Sequence, residues 1–365
     1  LKLGINASFL SEKPTGAASF AQETARIISE KFEETIIFSP FIFDAKLSGN
    51  IYKVPAAIKG SSRLANSISR LFYINSILPL ICRFKNIEVL YCPIMEFPFI
   101  PLVPTVVHVH DLHFIHFSTD FGLAAPRMKI SLRFIKRAAK RVVVSSEFMK
   151  RELMEMSNIA EYMIDVVPLA YNSNLFKPAS LEYREGFLSK YQIKGKYFLF
   201  IGSLFPYKNL KTLIDAFLKI KHLIPHCLVV VGRREFSQSP FIKDERILYV
   251  DYVPAYDMPF FYSYAEIFIY PSLREGFGIP PLEAMACGTP VISSNGGSLP
   301  ETVGDAAILF DPLDCKMLAE RIVEIVKNKS LKDELIQKGF GRVKNFSWEK
   351  TANGIIISCR KALKR

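Results

Sequence analysis

The feature that most constrains the fold is an alternation that runs along the whole chain. Short, continuous runs of β-branched and aromatic residues are separated by longer amphipathic ones. In the first half the short runs are residues 2–6, 35–39, 87–91, 105–109, 142–145 and 164–167. In the second half they are 197–201, 228–231, 247–250, 267–270, 291–293 and 308–310. Helical periodicity falls between them at 19–29, 126–139, 147–156, 209–221, 281–286, 316–326 and 331–340. Strands that are apolar throughout are buried on both faces, and strands separated by helices pair in parallel. The pattern therefore predicts α/β architecture with two doubly wound domains, which a chain of 365 residues can supply. Asn, Ser and Pro interrupt the pattern at 170–178, which places the joint there. Ligands in such sheets bind beyond the carboxyl ends of the strands, so the chemistry is expected where strands end.

Half of the residues are hydrophobic and 22% are charged, enough for each half to bury a core. The net charge of +12 divides as +5 over residues 1–172 and +7 over 173–365, with no basic tail. Such diffuse basicity suits an anionic ligand or an anionic membrane surface. No nucleic-acid-binding module is recognisable, and no nucleic acid is expected as a partner. One local basic cluster stands out: Arg127, Lys129, Arg133, Lys136, Arg137, Lys140 and Arg141. The six cysteines form no C-x-x-C pair, which reads as reduced, buried, cytosolic cysteine. Residues 1–6 read as a first strand and lack the marks of a signal peptide. The most apolar window, 87–109, contains Glu88, Glu96 and four prolines, which a spanning helix would not tolerate. The expectation is a cytoplasmic protein, soluble or at most peripheral on the inner face of the membrane.

The densest stretch of chemistry is Tyr270-Pro271-Ser272-Leu273-Arg274-Glu275-Gly276-Phe277-Gly278-Ile279-Pro280-Pro281-Leu282-Glu283-Ala284-Met285-Ala286-Cys287-Gly288-Thr289-Pro290. A buried strand ends at Pro271, a glycine-containing loop follows, and two prolines open a helix. A glycine loop that feeds a helix N-terminus presents backbone N–H groups and a positive dipole end, which suits a phosphate. Glu275 and Glu283 could accept hydrogen bonds from sugar and ribose hydroxyls. On local physics alone, a tight turn with a solvated Glu283 is an equal competitor.

The spacing E-x7-E inside E-G-F-G-I-P-P-L-E-A-M-A-C-G-T-P-V-I closely resembles the donor-site signature of retaining GT-B glycosyltransferases of family GT4. The match runs on through Ser293-Ser294-Asn295-Gly296-Gly297-Ser298-Leu299-Pro300-Glu301. Upstream, Phe200-Ile201-Gly202-Ser203-Leu204-Phe205-Pro206-Tyr207-Lys208-Asn209-Leu210 resembles the family's first strand, loop and helix of the donor domain. There Lys208 matches the lysine that faces the diphosphate. The family often carries an arginine at the position of Ser203 or Tyr207; this chain has neither, and Arg274 is a candidate to serve instead. Pro14-Thr15-Gly16-Ala17-Ala18-Ser19-Phe20 resembles a degenerate form of the glycine-rich loop of the first domain, with a simple strand-to-helix turn as the alternative. His110-Asp111-Leu112 resembles the family's His-Asp segment near the donor sugar. Asn345 to Ala352 resembles its closing segment, after which the last helix returns to the first domain.

The resemblance implies two Rossmann-like domains, 1–170 plus 348–365 and 171–347, with a donor cleft between them. It implies His110 and Glu275 as catalytic residues. It gives donor binding to Gly16, Gly202, Ser203, Lys208, Arg274, Glu275, Gly276, Phe277, Gly278, Ile279 and Glu283. Glu275 would position the sugar, Glu283 the ribose and Lys208 the diphosphate. No metal or other cofactor is implied: the spacing of His108, His110, His113 and His116 fits no common zinc pattern, and the chain has no D-x-D motif. The expected partners are a nucleotide-sugar and an oligosaccharide or lipid-linked acceptor, with an anionic membrane surface as a further candidate through residues 127–141. The variants P-x-K-N and E-G-F-G-I-P-P-L-E look most like bacterial mannosyl- and rhamnosyltransferases. GDP-mannose or dTDP-rhamnose is therefore favoured as donor, with a UDP-sugar also open. An epimerase or phosphorylase on the same fold, or a donor-binding subunit without turnover, also remains open.

Overall fold

The computed structural model describes residues 1–11, 16–32, 34–54, 63–122, 124–232 and 242–364. The chain divides into two compact units, Leu1–Pro168 with Trp348–Arg365, and Leu169–Ser347.

Among the described residues of the first unit, seven strands form one parallel sheet: β1 (Leu3–Asn6), β2 (Thr35–Ser39), β3 (Ile51–Lys53), β4 (Val89–Cys92), β5 (Thr105–Val109), β6 (Arg141–Val144) and β7 (Ile164–Val166). Their order is β3-β2-β1-β4-β5-β6-β7. The second unit holds β8 (Tyr197–Ile201), β9 (Cys227–Val231), β10 (Ile247–Val250), β11 (Ile267–Tyr270), β12 (Val291–Ser294) and β13 (Ala307–Phe310), in the order β10-β9-β8-β11-β12-β13. The central strands β4, β5, β8, β9, β11 and β12 are buried at every position. That is why their sequences are apolar runs instead of alternating ones. The three-residue edge strand β3 is half-exposed and gave no such signal.

The helical patterns appear as Gly16–Lys31, Ala124–Ala138, Glu147–Ser157, Leu210–Ile220, Ile279–Ala286, Cys315–Lys327 and Lys329–Val343. In helix Ala124–Ala138, Leu132 and Ile135 face the core. Its basic residues divide: Arg127 pairs with Glu96 at 2.9 Å, while Lys129, Arg133, Lys136 and Arg137 are exposed. Helical segments the pattern did not predict include Arg63–Phe72 and Leu78–Phe84. The six cysteines are free thiols, five of them buried. Burial pushes those of Cys82, Cys287 and Cys359 up to about 12. The apolar window 87–109 is β4, a proline-rich loop and β5, and no described helix is long and apolar enough to cross a membrane.

The last helix, Trp348–Leu363, belongs to the first unit and packs on β4, β5, β6 and helix Gly16–Lys31. Gly354 lets it lie flat against the sheet. A Cβ there would stand 2.7 and 2.9 Å from the two methyls of Val167 and 3.3 Å from its Cβ. Val167 is 4% exposed and β-branched, so its stiff, packed side chain has little room to retreat. Alanine in place of glycine gains helix propensity, worth about 1 kcal/mol, but overpacking of this kind costs about 1–3 kcal/mol. Gly354→Ala should therefore lower the thermal midpoint. Adding Val167→Ala should recover part of that loss relative to the sum of the two single changes. A purely additive double-mutant cycle would show that the contact does not govern the packing.

Candidate active site

The strand order of the second unit reverses between β8 and β11. The crevice beyond the carboxyl ends at such a reversal is where ligands bind in these sheets. Residues 202–209 leave the sheet after β8, 271–278 after β11, and 295–298 after β12.

Lys208 closes a short turn, Pro206–Lys208, and points toward the end of β11. Its Nζ donates to Glu275 Oε1 at 2.6 Å and to the Tyr270 hydroxyl at 2.8 Å. It also lies 5.3 and 5.1 Å from the ring centres of Tyr207 and Tyr270. The electron-rich ring faces add attraction for the ammonium. The side chains of Lys208 and Glu275 are 12% and 9% exposed, so water screens this pair weakly. Where the family often has an arginine, this chain sets the ring of Tyr207 against its one matching lysine.

The loop 271–278 has no regular structure, and its neighbours hold it in place. Asn209, in a left-handed backbone conformation (φ +56°), donates from Nδ2 to the carbonyls of Pro271 (3.1 Å) and Pro312 (2.7 Å). Leu273 N–H donates to Tyr207 O at 2.8 Å. Ser294 Oγ donates to Ser272 O, Ser298 donates from both N and Oγ to Glu275 O, and Thr302 Oγ1 donates to Phe277 O. Gly296 and Gly297 bring the backbone this close. A Cβ at Gly296 would sit 2.4 Å from Leu273 O, and one at Gly297 (φ +66°) would sit 2.4 Å from Glu275 O and 2.7 Å from its nitrogen. These contacts explain the motif that follows β12: its serines and glycines form the socket for the Glu275 backbone.

Gly278 (φ +101°) then starts helix Ile279–Ala286, with Pro280 and Pro281 in its first turn. The two prolines remove two of the N–H groups that a helix start usually leaves unpaired. An anion there would meet the N–H of Ile279 and those of the preceding loop. Glu283, on the second turn, is half-buried and accepts from the Tyr262 hydroxyl at 2.8 Å. Burial pushes its carboxyl up to about 7, against the partial relief that the tyrosine gives.

The remaining predicted residues of this unit fall around the same edge. Gly202 directly follows β8, and a Cβ there would touch the Lys208 stem at 3.9 Å. Ser203 and Arg274 are half-buried on the two loops. Gly276 is buried, and Ile279 is half-buried as the first residue of the helix. The ring of Phe277 is buried and packs edge-on against Phe346, 5.7 Å between centres.

In the first unit, His110 follows β5 and its Nε2 lies 2.8 Å from Pro93 O. A carbonyl only accepts, so Nε2 carries the hydrogen. Burial lowers the imidazole's pKa against the opposing pull of Asp111, so the ring is neutral with Nδ1 as its acceptor. His108 stacks on His110 at 4.2 Å, and its Nδ1 meets the Tyr91 hydroxyl at 3.0 Å. Gly16 is exposed at the start of its helix, and a Cβ there would meet nothing within 4 Å, so no steric need for glycine is evident. Pro14 and Thr15 of that loop lie outside the described residues. Among the described residues no group of three or more His, Cys, Asp or Glu is placed to hold a metal ion.

Sequence reasoning missed the roles of Tyr262, Tyr270 and Asn209. Tyr270 and Asn209 stood inside quoted motifs; Tyr262, in an aromatic-rich helix, carried no signal. The Lys208–Glu275 pair sets a testable expectation. Lys208→Met takes the cation away from a buried carboxylate and should cost about 3 kcal/mol of stability in chemical denaturation. Adding Glu275→Gln should restore much of that loss. An unchanged midpoint for Lys208→Met would mean that the other groups around Glu275, Tyr270 among them, already satisfy it.

The family model of glycosyl transferases group 1 matches residues 187–342. O-antigen chain mannosyltransferase B of Escherichia coli is 34% identical over 232 residues, which is 61% of this chain and 61% of that protein. O-antigen chain mannosyltransferase RfbU of Salmonella typhimurium is 26% identical over 336 residues, 88% of this chain and 90% of that protein. The chain thus spans about three fifths of the length of the E. coli mannosyltransferase it matches. Among solved structures, sucrose-phosphate synthase from Thermosynechococcus elongatus superposes with a TM-score of 0.75 at 18% identity, covering 98% of both chains. Anabaena Alr3699/HepE in complex with UDP-glucose superposes with a TM-score of 0.74 at 17% identity, covering 97% of this chain and 98% of the other. At that identity the likeness speaks for the fold alone, and it matches the two parallel sheets. Residues 187–342 thus match the model of glycosyl transferases group 1, in a chain whose two parallel sheets have the GT-B fold.

Proposed function

We propose that the protein is a retaining, metal-independent glycosyltransferase that moves a hexosyl group from a nucleoside-diphosphate sugar to a hydroxyl acceptor in surface-polysaccharide assembly. The observation that carries this is the pairing of Lys208 and Glu275 on the loops at the β8–β11 reversal, with Glu283 on the helix that follows, within residues that match the model of this family. The O-antigen mannosyltransferases among the relatives favour mannose, and hence GDP-mannose, as the donor. An oligosaccharide or lipid-linked acceptor follows from the same likeness. The site of action is then the cytoplasmic side of a membrane that the protein meets as a peripheral guest.

Each residue has an assigned task. Lys208 exchanges part of its contact with Glu275 for the diphosphate and stabilises the charge that gathers there as the glycosidic bond breaks. It supplies the positive charge that a divalent ion would otherwise bring. Glu275, fixed through its backbone by Ser298, accepts hydrogen bonds from the sugar. Glu283, held by Tyr262, accepts from the ribose diol. The leaving phosphate takes the acceptor proton on the same face of the sugar, which gives retention without a covalent intermediate. His110, neutral at pH 7, is assigned to the sugar.

The Glu283 assignment has a pH signature. Its carboxyl keeps its proton up to about 7 in the folded chain, against an ordinary value of 4.5. Between those values the folded state binds more protons than the unfolded state, so stability falls as pH rises through this window. Accepting two ribose hydroxyls favours the ionised form, so donor affinity should rise from pH 6 to pH 8. Glu283→Gln should flatten the stability profile and weaken the donor at every pH; unchanged donor affinity in this variant would sink the ribose role. For the reaction, nucleotide-sugars are screened by thermal shift, because a true donor raises the melting point by mass action. Transfer is then followed with the best donor, with and without chelator, and the anomeric configuration is read by NMR. The expected result is a retained linkage that chelator does not affect. Donor binding with neither transfer nor hydrolysis would mark a binding subunit, and isomerisation or phosphorolysis would mark the other enzymes of this fold.

A further inference from the structure

The first unit carries an apolar stripe with no role in the chemistry above. Residues 63–84 run as one helical segment: helix Arg63–Phe72, a π-turn over Tyr73–Ile77, and helix Leu78–Phe84. Along it Ile68, Phe72, Leu80 and Phe84 are 59%, 62%, 62% and 83% exposed. With Ser76, also exposed, they recur every fourth residue, and the buried Ile74, Leu78 and Cys82 recur at the same interval on the core side. In an unbroken α-helix, positions 68 and 84 would point about 160° apart. One i→i+5 turn takes up an extra residue and sets the face back by about 100°. The π-turn therefore keeps four large apolar side chains on one narrow outward stripe while the opposite stripe stays in the core.

The surroundings of the stripe are basic. The segments 63–85 and 124–138 contain nine Lys or Arg and no Asp or Glu. Two sets of contacts make them neighbours. Glu96 accepts from Arg70 on one and Arg127 on the other, each at 2.9 Å. Phe99, whose N–H donates to Asn75 Oδ1 at 2.9 Å, stacks on Phe134 at 4.5 Å. Ile100, next to that stack, is 79% exposed. Exposed apolar side chains on one segment and four exposed cations on the next, with Glu96 already taken by Arg70 and Arg127, suit a surface that is apolar beneath and negative at its face.

We propose that the stripe Ile68–Phe72–Leu80–Phe84 enters the interface of an anionic lipid bilayer while Lys129, Arg133, Lys136 and Arg137 meet the phosphates. This extends the function proposed above, which asks for a peripheral enzyme when the acceptor is lipid-linked, but it is tested without turnover. The probes are phosphatidylcholine vesicles with and without phosphatidylglycerol, and the readout is co-sedimentation of the full chain. Binding is expected with phosphatidylglycerol and to be far weaker without it. Phe72→Ser with Phe84→Ser should weaken it about tenfold or more. Arg133→Glu with Arg137→Glu should weaken it and reduce its salt dependence. All four positions are exposed, so both variants should melt as the parent does and keep the donor-induced thermal shift, which separates a lipid defect from a donor defect. If either double variant melts early, Leu80→Ser and Arg133→Gln give the single-site comparison. Three results would overturn the proposal: no binding to anionic vesicles, parental binding by the Phe72/Phe84 variant, or a fall in solution mass in that variant, which would mean that a second copy of the chain covers the stripe.

Discussion

Parallel pairing is the constraint on which the site depends. In a parallel sheet every strand leaves by the same edge, so β8, β11, β12 and β13 all deliver their following loops to one end of the second unit. The reversal of order between β8 and β11 makes neighbours of two segments 67 positions apart, and Lys208 can then reach Glu275. The loops crowd because they start from strands that lie next to each other. Gly296 and Gly297 relieve that crowding, since a side chain at either would strike the backbone that carries Glu275. The two acidic residues of the motif, eight positions apart, end up in opposite environments. Glu275 faces a buried cation, whereas Glu283 has only a tyrosine hydroxyl and apolar company. In those surroundings burial pushes the Glu283 carboxyl up to about 7, so it holds its proton to near neutrality.

Where buried strands are apolar runs, the sequence was enough to place them, and the runs at 197–201 and 267–270 coincide with β8 and β11. The ends of those strands located the loops. The roles on them came from the likeness to a family, because a glycine loop before a helix is equally good as a plain turn. The Lys208–Glu275 contact was not legible, since it exists only once the strand order is known. The loss of helix-start donors at Pro280 and Pro281 was legible, but its meaning depends on how much of the anion's charge Lys208 meets. Segment 63–84 escaped for another reason. Its first helix, Arg63–Phe72, is amphipathic, but the π-turn over Tyr73–Ile77 shifts the period before Leu78–Phe84, so no single helical period runs through the segment.

Tyrosine does much of the polar work at this edge. Tyr270 and Tyr262 are both buried; the Tyr270 hydroxyl accepts from Lys208 Nζ, and the Tyr262 hydroxyl donates to Glu283 Oε2. Burial raises both phenols well above their usual range, so each stays protonated beside its carboxylate. A ring on a buried strand or helix can be fixed by packing alone, and its polar tip is then aimed without further support. The charged groups are thereby oriented by the core itself, which makes their geometry insensitive to changes at the surface.

The return of helix Trp348–Leu363 to the first unit has a consequence for how the protein is made. The second unit is continuous from Leu169 to Ser347, whereas the first is interrupted by it. As the chain is synthesised, the sheet of the first unit emerges early but waits for its covering helix until 179 further residues have followed Pro168. The second unit has all of its parts before that helix appears. Strands β4 to β6 therefore pass through a stage in which the face meant for the helix is bare, and a premature stop after Ser347 would fix the chain in that stage. A stop codon directly after Ser347 would thus injure the unit whose sheet is translated before the other.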